Sequence, residues 1–117
     1  MPKSIWKLHV NSTSERSAQK IVHQCIDIFE RVPTSFKIEK YNKGGCMATL
    51  EFVYEENVVW SALVIEIIGL GQCIGTGWSM YGNIYDDPSA VLSKNIGNHI
   101  RVSGIEWAEW LLLKDQL

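Results

Sequence analysis

A short alternation followed at once by a helix-start signature constrains this chain more than any other feature. Within residues 5–10, Trp6, Leu8 and Val10 fall on one side, Lys7 and His9 on the other. A period of two places one face of a strand in a core and leaves the other to solvent. Ser12 and Glu15 then have the Ser-x-x-Glu spacing of a capping box, in which each residue satisfies a free N–H of the first helical turn. Ile21, Cys25, Ile28, Phe29 and Val32 follow at helical spacing, and Pro33 ends the pattern. The chain therefore opens as a strand and then a helix.

Further along, Phe36 and Ile38 alternate with Lys37 and Glu39, and Ala48, Leu50, Phe52 and Tyr54 alternate with Met47, Thr49, Glu51 and Val53. Between them Asn42-Lys43-Gly44-Gly45 supplies residues able to take positive φ, so the two runs read as a hairpin. Asn57 is placed to cap a second helix, with Val59, Trp60, Leu63, Val64 and Ile67 as its apolar face and Gly69 as its stop. The segment is also rich in β-branched residues and apolar almost all round, so a buried strand competes. Trp78, Met80 and Ile84, interleaved with Ser79, Tyr81 and Tyr85, predict another strand. Asp87-Pro88 has the form of an N-cap followed by Pro at the first helical position, predicting a short helix over 89–94 that ends near Gly97. Ile100 and Val102 suggest a short strand. Over 105–113 the Ser103-x-x-Glu106 spacing favours a helix, but the pattern of Trp107, Trp110 and the leucines leaves helix and strand open. The order β-α-β-β-α-β with a C-terminal extension predicts a ferredoxin-like α+β sandwich.

With 117 residues the chain has the length of one domain, 1–117, able to bury a real core. Its 46% hydrophobic and 21% charged content argues against disorder. The longest apolar run, Val58 to Leu70, is broken by Ser61, Glu66 and Gly69 and is too short to cross a bilayer. The first residues, Met-Pro-Lys-Ser-Ile-Trp, lack the apolar core of a signal peptide, which predicts a cytoplasmic protein. Three widely spaced cysteines, Cys25, Cys46 and Cys73, fit reduced thiols better than a disulfide framework. Charge is uneven: residues 1–43 carry eight Lys/Arg against four Asp/Glu, and residues 44–117 carry three against nine. An acidic face formed by the second part would favour a basic partner.

No pattern points to catalysis. The cysteines and His9, His23 and His99 are scattered, without the close pairs of a zinc site, so neither metal nor other cofactor is expected. Gly77-Trp78-Ser79-Met80-Tyr81-Gly82 is one residue too long for a nucleophile elbow, and Ser79 is expected inside a strand. Gly69-Leu70-Gly71-Gln72-Cys73-Ile74-Gly75 misses the dinucleotide-binding spacing and reads as a helix-to-strand connection. Lys3, Lys7, Lys37, Lys40 and Lys43, with Trp6 and Tyr41 nearby, form a faint nucleic-acid signature, opposed by a pI of about 5.9. Glu106 and Glu109 beside Trp107 and Trp110 are more unusual. Aromatic anchors ringed by acids have the character of a protein-binding hot spot, although both tryptophans could equally be core.

The closing run Gly104-Ile105-Glu106-Trp107-Ala108-Glu109-Trp110, in a small, acidic, Trp-rich α+β chain, resembles immunity proteins of contact-dependent growth inhibition and related polymorphic toxin systems. The resemblance implies a protein without chemistry of its own that binds a cognate toxin and covers its active site. Such toxins are often basic nucleases, since phosphate binding uses Lys and Arg. On that expectation Asp86, Asp87, Glu106, Glu109 and Asp115 meet toxin cations, and Trp107 or Trp110 supplies the desolvated anchor. A small-molecule-sensing ferredoxin-like domain, with a ligand loop at Gly69–Gly77, is the alternative; an enzyme comes third.

Overall fold

Strand β1 (Lys3–Val10) forms where the alternation requires it and becomes the axis of the fold. Ser4, Trp6, Leu8 and Val10 are buried, and the residues between them are half-buried. The computed structural model describes residues 1–95 and 97–114. Among these the chain continues through α1 (Glu15–Phe29), β2 (Ser35–Lys40), β3 (Cys46–Val53), α2 (Trp60–Ile74), β4 (Gly75–Thr76), β5 (Ser79–Tyr81), β6 (Ser89–Ser93), β7 (His99–Ile100) and β8 (Ile105–Leu113). Six strands make one antiparallel sheet in the order β2-β3-β1-β8-β6-β5, and β4 pairs with β7 in a separate ribbon. The class is α+β, as the sequence predicts. The sheet has six strands where the expected plan has four: the strand expected after α2, around Trp78 to Ile84, supplies only the edge strand β5, and the expected C-terminal extension is β8, which pairs with β1. No helix among the described residues is long and apolar enough to cross a membrane.

Helix α1 differs from its predicted boundaries at both ends. Its cap is Ser14, not Ser12: the Ser14 hydroxyl accepts from the Ser17 N–H at 3.2 Å, which puts Glu15 in the first turn beside the positive end of the helix dipole. The helix ends at Phe29, before Pro33, because Glu30 turns into the left-handed region (φ 53°) and donates its N–H to the Ile26 and Asp27 carbonyls. Val32 is therefore 83% exposed rather than part of the apolar face, which consists of Ala18, Val22, Cys25 and Phe29.

Helix α2 is a helix, but neither Asn57 nor Gly69 bounds it. Val59 occupies the N-cap with no side-chain hydrogen bond, and the helix passes through Gly69 and Gly71 to Ile74. The predicted glycine-rich connection is thus its last turns. Gly71 marks a close approach: a Cβ there would lie 3.3 Å from ring atoms of both Trp78 and Trp110. The Trp78 indole N–H donates to the Gly71 and Gly75 carbonyls, each at 3.0 Å, and so ties the ring to the end of the helix.

Three later segments also depart from the local signals. Residues 89–93 are strand β6, not a helix, because Ala90 and Leu92 fill the core while the backbone pairs with β5 and β8. Asp87 caps a turn instead, its carboxylate accepting from the Asn83 N–H at 3.0 Å. Of the strand expected around Trp78 to Ile84, only Ser79–Tyr81 pairs. The ambiguous tail is β8, whose Ile105, Ala108, Trp110 and Leu112 are buried.

Both helices cover the same face of the sheet, α1 over β2 and β3 and α2 over β8. Trp6 sits at the centre of this core, its ring 4.8 Å from Phe29 and 6.3 Å from both Trp78 and Trp110. The one buried polar side chain among the described core residues, Ser4, accepts from the Trp6 indole N–H (3.2 Å) and shares a 2.7 Å hydrogen bond with the Tyr54 hydroxyl. Burial pushes the Tyr54 hydroxyl above its ordinary range.

Candidate functional site

Among the described residues the opposite face of the sheet carries no helix, and the strand registers define what it presents. Lys7 of β1 lies between Thr49 of β3 and Glu109 of β8, and Glu109 is followed by Val91 of β6. One row along, Met47, His9, Trp107 and Ser93 stand side by side. The row on the other side reads Glu51, Ile5, Leu111 and Ser89. A bulge interrupts the β1–β8 ladder where His9 faces Trp107 and Val10 faces Ile105, leaving Glu106 as the extra residue. Glu106 pairs with Lys94 at 3.3 Å.

An antiparallel sheet with one solvated face normally alternates apolar-in with polar-out. Strands β1 and β3 mostly comply, with Lys3, Lys7 and His9, and with Thr49 and Glu51, turned outward. Strand β8 does not. Its outward positions are Trp107, Glu109, Leu111 and Leu113, so three of four are large and apolar. Leu111 stands beside Ile5, which extends the apolar stripe across two central strands.

A ring cluster borders this stripe. His9 lies 5.0 Å from Tyr41 and 6.1 Å from Trp107, measured between ring centroids. Its Nε2–H donates to the Gly44 carbonyl at 2.8 Å and so ties the β2–β3 turn, and Tyr41 with it, to β1. The cluster opens into a shallow depression of about 480 Å³ lined by Lys7, Lys37, Lys40 and Glu109, among others. Lys37 is engaged with Glu39 at 3.0 Å, and Lys3 with Glu51 at 3.9 Å. Cations and anions are interleaved on this face, so the acidic face expected from the sequence halves does not form here.

The residues singled out in the sequence separate into distinct places. Trp107 and Glu109 lie on the open face, and Glu106 lies at its edge. Trp110 is 1% exposed and belongs to the core, so Trp107 is left as the surface anchor. Asp86 and Asp87 occupy the exposed turn between β5 and β6, beside α2 rather than beside Trp107. Asp115 lies outside the described residues. Sequence reasoning attached Lys7, Lys37, Lys40 and Tyr41 to a faint nucleic-acid pattern, and the fold does gather them, but together with Glu39 and Glu109. His9, Leu111 and Leu113 were missed. The signal for the two leucines was the unbroken apolar run at 110–113, which is too apolar for a strand with one wet face; His9 had none.

Among the described residues no group of three or more His, Cys, Asp or Glu could hold a metal ion. Cys25 and Cys46 are buried and Cys73 exposed, all as free thiols, and burial pushes Cys25 up to about 12. Ser79 lies in the edge strand β5, not at a strand-to-helix elbow. The chain matches no family model, no curated protein and no solved structure.

Proposed function

We propose that this chain is a binding protein that captures another protein on the open face of its sheet and neutralises it by covering part of its surface. The outward apolar side of β8 carries the reading. Trp107 on one side, and Leu111 and Leu113 with Ile5 on the other, give two apolar patches; the Lys7 and Glu109 row crosses the face between them, with Lys37 and Glu39 beside it on β2. Aromatic and aliphatic side chains on a sheet face that carries no helix, interleaved with charges that can fix orientation, suit a protein interface. Capture of a toxin by an immunity protein, the role implied by the resemblance of the closing Trp-Glu run, is the form of this activity we favour. The interleaved charges shift the expected partner surface from uniformly basic to mixed in charge, which sets register and specificity more than raw affinity. We also read β1-α1-β2-β3-α2-β8 as a ferredoxin-like core widened by β6 and β5; the order β2-β3-β1-β8 supports that reading.

The test is co-expression with the product of the neighbouring gene, followed by measured affinity for any complex and by rescue of growth if that product is toxic. Trp107→Ala and Leu111→Glu are expected to weaken binding by two orders of magnitude or more while the melting temperature changes little. Full binding by both variants removes the open face from the interface. A neighbouring product that is harmless alone and never co-purifies removes the neutralising role.

A further inference from the structure

The second apolar surface of the molecule lies on the other side of the sheet, and geometry explains why it exists. A helix with its side chains is about 10 Å across, and strands repeat every ~4.8 Å, so two helices cover about four strands. This sheet has six. Met80 shows the shortfall: in register with the core residues Ala90 and Trp110, it faces the helix layer, yet it is 47% exposed.

The turn after β5 rises against α2 at this uncovered edge and is pinned there. The Trp60 indole N–H donates to the Ile84 carbonyl at 2.9 Å. The Lys114 ammonium donates to the Tyr85 carbonyl at 3.1 Å and sits 5.3 Å above the Trp60 ring. Inside the turn, the Asn83 side-chain oxygen accepts from the Tyr85 N–H at 2.8 Å. The main chain is thus fixed while the Ile84 and Tyr85 side chains project outward, Tyr85 being 73% exposed. Between this wall and the flank of α2 runs a groove of about 240 Å³, bounded on the helix side by Trp60, Val64 and Ile68 at four-residue spacing, with Ile65 on its rim. Ile65 is 70% exposed, although Asp, Lys or Ser would serve an ordinary solvated helix position better.

We infer that this groove is a docking site for a cationic amphipathic helix of a partner protein. The apolar wall at i, i+4 and i+8 of α2 makes a channel about two helical turns long, the geometry that receives one ridge of a second helix. The charges around it select the sign of that helix. Asp86 and Asp87 follow Tyr85 in the turn, and among the described residues neither is in an ion pair. Lys114, fixed on the Tyr85 carbonyl and over the Trp60 ring, keeps its positive charge, which the two aspartates outweigh. The site is independent of the open face and does not rest on the neutralising role.

Two synthetic amphipathic peptides test this on the full chain, followed by backbone NMR. Both carry the same leucine stripe; one is flanked by Lys and Arg, the other by Glu. The cationic peptide is expected to saturate, to shift resonances of Ile65, Ile68, Ile84 and Tyr85, and to bind at least tenfold more tightly than the acidic one. Ile65→Lys, at an exposed position, should weaken it at least tenfold, as should Tyr85→Ser. Trp107→Ala should leave it unchanged. Equal binding of the two peptides, shifts confined to the open face, or no saturable binding overturns the inference. So does concentration-dependent self-association that Ile65→Lys abolishes, since a second copy of the chain then fills the groove.

Discussion

Helices α1 and α2 are each fifteen residues long and lie on the same face of one sheet, yet they are built by different rules. Helix α1 has a hydroxyl cap, an acid in its first turn and one apolar stripe, with polar residues elsewhere. Helix α2 has no side-chain cap, a single charge, two internal glycines and apolar residues on nearly every side. The first is specified by its own sequence. The second is held by what surrounds it: Trp78 closes its end, Trp110 packs on Gly71, and the turn at 83–87 leans on Trp60. A helix that relies on its surroundings in this way carries more apolar surface than its own fold consumes, and the surplus at Ile65 is where the second docking site opens.

Substitutions to charge should widen this contrast most. Val22→Asp places an unpaired carboxylate in the core and is expected to destabilise by about 4 kcal/mol or more, a large part of the stability of a domain this size. Ile65→Asp, at the exposed position of α2, should stay within ~0.5 kcal/mol in urea denaturation. Equal losses would mean that Ile65 is covered in solution.

The cysteines give the next contrast. Burial holds the Cys25 thiol of α1 neutral up to about 12 in the folded chain, against 9.0 for an ordinary thiol. Above pH ~9 the unfolded chain ionises there and the folded chain does not. Stability is therefore complete below that pH and falls by up to about 1.4 kcal/mol for each further pH unit. Cys25→Ala should flatten this alkaline limb in a series of denaturant titrations. Iodoacetamide at pH 8 should label Cys73 of α2 rapidly, and Cys25 and Cys46 only on unfolding.

Capping should move the two helices in opposite directions. Ser14→Ala is expected to lower stability by about 1 kcal/mol, while Val59→Ser, which supplies the missing hydroxyl to α2, should raise it by up to ~1 kcal/mol. The smallest effects separate the two glycines inside α2. Gly69→Ala has open space for its methyl and should gain about 0.5–1 kcal/mol from helix propensity. Gly71→Ala must displace Trp78 or Trp110 and should lose at least that much. Thermal melts of the four variants would order them.

These contrasts also explain what could be read from the residues alone. The strand over 5–10, the presence of the first helix and the Gly-Gly hairpin were legible because periodicity and turn chemistry agree there, although the helix cap lies at Ser14 and not Ser12. The helix wrongly expected at 89–94 shows the limit: Asp87-Pro88 is a sound local start signal, but Ala90 and Leu92 gain more by pairing between β5 and β8. Likewise the capping spacing of Ser103 and Glu106 loses to a strand that buries Trp110. The site was half legible. Trp107 and Glu109 stood out by composition, whereas His9, Tyr41 and Lys7 join them only through antiparallel registers that no local pattern encodes.

Strand β8 has a consequence for how the molecule comes into being. It pairs Leu113 with Lys3, a closure spanning nearly the whole chain, so the central ladder has high contact order and belongs to the slow end of folding. The same strand sends Trp110 inward and Trp107 outward, so whatever completes the core also completes the open face. A half-folded chain would then have no working interface to offer, and its ability to hold a partner would switch on in one step with the closing of the sheet.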